Sequence, residues 1–171
     1  MLTPAVRFRC SSSSDGDGDD PATTSALTAS KDFVAGSFFL ESLSPAREVR
    51  ISWLGANFAR RFAVKVERYA ATPSLRAYTL NRLSRSIGIA EELDPPFDIR
   101  LADVWCLLKR QPNGEAGALL TNAIPNLFFV RDVAGEVGVV DVVWSGAGWE
   151  VGASSLTRNR PWPAGLRVIA R

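Results

Sequence analysis

Apolar side chains are unevenly placed along this chain, and their spacing divides it in two. Residues 1–30 are rich in Ser, Asp, Gly, Thr and Ala, with almost no large apolar side chain after Phe8. Such a segment buries too little surface to offset its ordering entropy. It is expected to be a disordered, acidic tail, with residues 31–171 as one domain. Phe33, Val34, Phe38, Phe39 and Leu40 open that domain as an apolar patch that docks on the core. Val49, Ile51 and Trp53 then alternate with Glu48, Arg50 and Ser52. A period of two predicts a strand with one buried face.

Helical spacing follows. Phe58, Phe62, Val66 and Tyr69 recur every three or four residues, with Asn57 as N-cap. Phe62, Val64 and Val66 also alternate, which leaves a short strand as the other reading. Leu75 to Leu83 reads as a strand, and Ser86 opens a short helix that Asp94-Pro95-Pro96 stops. The clearest helix runs from Asp98, as its cap, to Gln111. Leu101, Val104, Trp105 and Leu108 form its apolar stripe, and Lys109 and Arg110 complement its dipole. Beyond Pro112-Asn113-Gly114 the pattern turns to strands at 126–131, 136–144, 149–153 and 166–170. Gly-bearing turns between the first three favour an antiparallel meander. The expected fold class is α+β. A C-terminal antiparallel β-meander, joined by the strand at 47–53, packs with two or three helices between residues 56 and 111. A sheet covered on one face leaves its other face, or an edge strand, for a partner.

Composition narrows the chemistry. The chain has no histidine in 171 residues, which removes Ser-His-Asp and Cys-His catalysis and histidine-ligated metals. No zinc spacing, P-loop or dinucleotide fingerprint is present, and neither a cofactor nor a metal is expected. Asp15-Gly16-Asp17-Gly18-Asp19-Asp20 has Asp20 where a calcium loop needs glycine and Ala26 where it needs glutamate, so it reads as an acidic linker. Glu91, Glu92, Asp94, Asp98 and Asp103 cluster in sequence, the pattern a carboxylate- or metal-dependent enzyme would need. With Asp98 spent as a cap, that cluster is a weak candidate. Cys106 sits in an apolar helix and Cys10 in the polar tail, so both are expected to be free thiols in a reducing compartment. No apolar run is long enough for a membrane helix, and a cytoplasmic location is expected.

Charge points to partners. Net charge is +2, but residues 1–30 carry −2 (two Arg against four Asp), so the remainder carries +4. Lys31, Lys65 and Lys109 are the only lysines among 20 basic residues. The last 17 residues hold Arg158, Arg160, Arg167 and Arg171 and no acid. Trp149, Arg158, Arg160, Trp162 and Arg167 are therefore the candidate binding surface, able to stack bases and pair phosphates. The structural alternative pairs Trp144 with Trp149 across a turn and uses Trp162 to plug the core.

Lys109-Arg110-Gln111-Pro112-Asn113-Gly114-Glu115, Leu119 to Asn122, Asn126 to Asp132 and the Gly148-Trp149 turn carry a resemblance. Over Leu101 to Arg171 the chain resembles small uncharacterised bacterial proteins of mobile or accessory genes. The resemblance implies a bacterial, cytoplasmic origin and no function. The first functional expectation is a non-enzymatic protein that binds another protein or itself, since aromatic and Arg anchors are plentiful. The second is a nucleic-acid-binding accessory protein that uses the Arg-rich, Trp-containing surface.

Overall fold

The computed structural model describes residues 1–9, 32–68, 74–158 and 160–171, and the backbone alone at positions 5, 6, 8 and 9. The elements in chain order are β1 (Leu2–Arg9), β2 (Phe33–Val34), α1 (Ala35–Phe38), β3 (Ile51–Leu54), α2 (Ala56–Phe62), β4 (Val66–Glu67) and β5 (Ser74–Leu80). They continue with β6 (Ser84–Arg85), α3 (Ser86–Glu91), α4 (Leu101–Lys109), β7 (Asn126–Arg131) and β8 (Val137–Trp144). The chain ends with β9 (Trp149–Ser155), β10 (Pro161–Trp162) and β11 (Arg167–Ala170).

Seven strands form one sheet in the order β1-β5-β11-β7-β8-β9-β3. The β7-β8-β9 run is an antiparallel meander, as the Gly-bearing turns predict. The sheet as a whole is mixed, which corrects the antiparallel expectation. β11 lies parallel to β7, and β3 lies parallel to β9. The physical reason is connectivity. The long connections that return to the sheet beside β7 and β9 bring those strands in from the same end, which tight turns cannot do.

Both faces of the sheet carry a core. On the first face Phe39, Phe58, Phe62, Leu101, Val104 and Trp105, from the α1–α2 region and α4, pack on Ile51, Phe128, Val140, Trp149 and Val151. On the second face Ile89 and Leu93, together with Trp162 and Leu166, pack on Leu80, Leu127, Phe129, Val139 and Val168. The second cover reaches across β5, β11 and β7 and ends at Val139. β8 beyond that point, with β9 and β3, leaves part of the second face open.

Helix ends differ from the sequence expectation for local reasons. α2 is capped by Gly55 in an extended conformation rather than by Asn57. α4 starts three residues after Asp98, because Ile99 bridges to Val130 and its N–H donates to the Phe129 carbonyl. Asp98 pairs instead with Arg131 (3.1 Å). Glu67, from β4, takes over the N-terminus of α4. Its carboxylate accepts the N–H groups of Leu101 (3.0 Å) and Ala102 (2.9 Å) and pairs with Lys65 (2.8 Å).

The N-terminal expectation changes at its start. Leu2–Arg9 pairs antiparallel with β5 as an edge strand, with Pro4 tolerated beside a register shift. The free outer edge of β5 supplies a ladder that composition alone does not reveal. The rest of the expected tail, and with it the acidic Asp15–Asp20 run, lies outside the described residues. Cys106 is disulfide-bonded, which corrects its reading as a free thiol. The other cysteine, Cys10, lies outside the described residues.

Candidate functional site

The open part of the second face is a cleft of about 350 Å³. Its floor is sheet surface from β8 and β9, where Asp141 faces Gly152. One wall is Trp53, at the sheet edge. The other is the end of the second-face cover, where Arg158, Arg160 and Trp162 stand. Asn57 and Ser154 close the base.

Trp53 reaches this cleft through a break in its strand. Val49 and Ile51 are buried, at 2% and 1% exposure, as their alternation requires. Trp53 continues that alternation in sequence, yet it is 50% exposed. The pairing with β9 shifts between Ile51, which sits opposite Trp149, and Trp53, which sits opposite Glu150. A shift of one residue turns a side chain to the other face. The Trp53 ring then lies over Gly55, where any added Cβ would stand 2.8 Å from the ring. Glycine at 55 therefore makes room for the six-membered ring of the indole, about half of which stays exposed.

Asp141 is the one charged side chain in the apolar strand Val137–Trp144, half-buried on the cleft floor. A Cβ at Gly152 would stand 2.8 and 2.9 Å from its two carboxylate oxygens, so glycine there makes room for the acid. Among the described residues, no salt bridge reaches it. Burial pushes the carboxyl above the usual aspartate range, and the Arg160 and Arg158 guanidinium groups pull it back. The opposite wall is built firmly. Trp162 is 2% exposed, its Nε1 donates to Ser86 Oγ (2.8 Å), and the Arg160 guanidinium stacks over its ring at 4.9 Å.

A second cleft of about 350 Å³ adjoins the first and shares Asn57, Ser154 and Arg158 with it. Arg60, Arg61, Glu136 and Ser155 complete its lining. Arg61 is committed to Asp132 (2.7 Å). Burial pushes the Asp132 carboxyl up, but Arg61 and the N–H groups of Glu136 and Ala134 outweigh that and hold it below the usual range. Arg60 and Arg158 are exposed.

The residues singled out from sequence divide into two groups. Arg158, Arg160 and Trp162 meet in the cleft. Trp149 does not join them. It is fully buried on the first face, its Nε1 donates to the Gln111 carbonyl (3.0 Å), and its ring meets Trp144 edge-on at 5.4 Å. Arg167 points to the first face like Ile169, two residues on, and lines a separate cleft with Arg110. Its Nη1 donates to the Ala118 carbonyl (2.7 Å). The acidic cluster does not converge, because Glu92 pairs with the N-terminus, Asp98 with Arg131 and Asp103 with Arg100. Among the described residues, no group of three or more acids and cysteines is placed to hold a metal. No described helix is long and apolar enough to cross a membrane.

Sequence reasoning missed Trp53 and Asp141. Trp53 carried no signal, because its strand alternates cleanly up to the shift. Asp141 did carry one, since an acid in the middle of an otherwise apolar strand has to be accounted for. No known protein family, curated protein or solved structure matches the chain.

Proposed function

We propose that this protein binds single-stranded nucleic acid, without catalysing a reaction, along the clefts from Trp53 to Arg60. The observation that carries the reading is the half-exposed Trp53 ring seated on Gly55, in one cleft with Arg158 and Arg160. An exposed indole can stack any base, and guanidinium groups in the same cleft can pair phosphates, so affinity needs no sequence readout. Arg60, exposed in the adjoining cleft, adds a further cation beside the first.

Protein interaction, the first expectation from composition, has less support. Val34, Val64 and Val66 are exposed around the β2–β4 pair. Leu40, Leu43, Leu83, Ile87 and Val133 are exposed as well, and the three valines alone fall well short of the roughly 800 Å² per partner of a specific interface.

The test is fluorescence anisotropy with a labelled eight-residue oligothymidylate at low salt. Trp53→Ala is expected to weaken binding by about 1–3 kcal/mol, the usual value of one stacked base. Its melting temperature should stay close to wild type, since the ring is half in solvent. Unchanged strand affinity in that variant would remove the cleft from the binding surface.

A further inference from the structure

We infer that the base this cleft selects is guanine, held by its Watson–Crick edge on the Asp141 carboxylate. The inference rests on the strand-binding reading above and adds a specificity to it.

Asp141 feels the charges of Arg160 and Arg158 but makes no contact ion pair with them. Its neighbours Val140 and Val142 point into the first core, while its own side chain lies on the open second face above Gly152. Among the described residues it has no ion-pair partner, so both carboxylate oxygens keep lone pairs free for a ligand. An ionised carboxylate only accepts hydrogen bonds. It is best matched by two neighbouring donors on one edge, as in bidentate pairs generally.

Three features constrain what fits. Trp53 asks for a flat ring, Asp141 for paired N–H donors, and Arg158 with Arg160 for negative charge nearby. An Arg side chain from a protein, planar and with paired N–H donors, comes near to the first two and is repelled by the third. A nucleotide meets the first and third, and the second then selects the base. Adenine and cytosine each place a ring-nitrogen acceptor beside their amino group, which would face the carboxylate with like charge. Uracil and thymine offer one N–H between two carbonyl groups. Guanine alone presents two adjacent donors, its N1–H and its 2-amino group, on one edge. Its phosphate then lies on the arginine side.

The experiment compares two labelled eight-residue strands on the full chain. One is oligothymidylate, and the other carries a single guanine at its centre. The guanine strand is expected to bind roughly tenfold or more tightly, the usual discrimination of a bidentate contact. Replacing that guanine by hypoxanthine, which lacks the 2-amino group, should remove most of the gain with the protein itself unaltered. In Asp141→Asn, shown to be folded by its thermal transition, the ratio between the two strands should fall close to one. Equal affinity of wild type for both strands overturns guanine selection while leaving strand binding standing. A gain that survives hypoxanthine or Asp141→Asn overturns it as well. Guanosine monophosphate, titrated by calorimetry against the other three monophosphates, separates the two readings. Preferential binding of the free nucleotide with neither strand bound keeps guanine recognition and removes strand binding. No binding of any strand or nucleotide overturns both.

Discussion

Burial raises the Asp141 carboxyl, and the opposing pull of Arg160 and Arg158 does not cancel the effect. A raised folded-state value means the folded chain holds its proton more tightly than the unfolded chain does. Between the two values, stability falls as pH rises, and above both the ionised group is a fixed cost to the fold. Asp141→Asn is therefore expected to melt higher than wild type at pH 7. The difference should shrink as pH is lowered toward the ordinary aspartate range, where wild-type Asp141 is itself protonated. A variant that melts lower at pH 7 would mean the carboxylate has a stabilising partner and would argue against its standing ready for a ligand. An acid kept at such a cost fits the general trade between function and stability. At this scale the sequence was half legible. Arg158, Arg160 and Trp162 could be named from an acid-free Arg- and Trp-bearing terminus. Arg167 belonged to the same stretch and Trp149 stood before it, beside Glu150, but strand alternation sends both side chains to the first face.

Among the elements, α4 shows how a local reading can name a helix and misplace its support. Its stripe of Leu101, Val104, Trp105 and Leu108 is buried as the spacing predicts. Its N-cap is not Asp98 but Arg100, whose N–H donates to Asp103 (3.2 Å), and the next two N–H groups go to Glu67, 34 residues before Leu101. No local pattern reports a carboxylate that arrives from another element. Glu67 is 7% exposed and holds two helix N–H groups and Lys65 at once. Glu67→Gln keeps the shape and removes the charge, so it should lower unfolding free energy by about 2–3 kcal/mol. Urea unfolding measures this, and a change below about 0.5 kcal/mol would show that the interactions are not coupled to folding. The β3 strand gives the converse lesson. Its period of two found the buried Val49 and Ile51, but the strand expected over 47–53 begins only at Ile51, after a bend at 47–49. The shift that follows is set by pairing with β9, and one displaced residue turns the Trp53 side chain from the core face to the open one.

For the whole molecule, the meander from Asn126 to Ser155 was legible because each connection is short and Gly-bearing. The parallel placements of β3 and β11 and the strand Leu2–Arg9 were not, since each depends on a partner far away in sequence. Those placements create the candidate site. With β3 at the edge beside β9, and the second-face cover ending at Trp162, a strip of bare sheet remains between Trp53 and the arginines. The most direct test is the salt dependence of oligothymidylate binding for wild type and for the Arg158→Gln/Arg160→Gln double variant. Two phosphate contacts should reduce the log–log slope by about 1.4, at roughly 0.7 per contact for single strands. The account predicts a clear salt-dependent affinity in wild type and that flatter slope in the double variant. Equal slopes, or no binding by wild type at low salt, would contradict it.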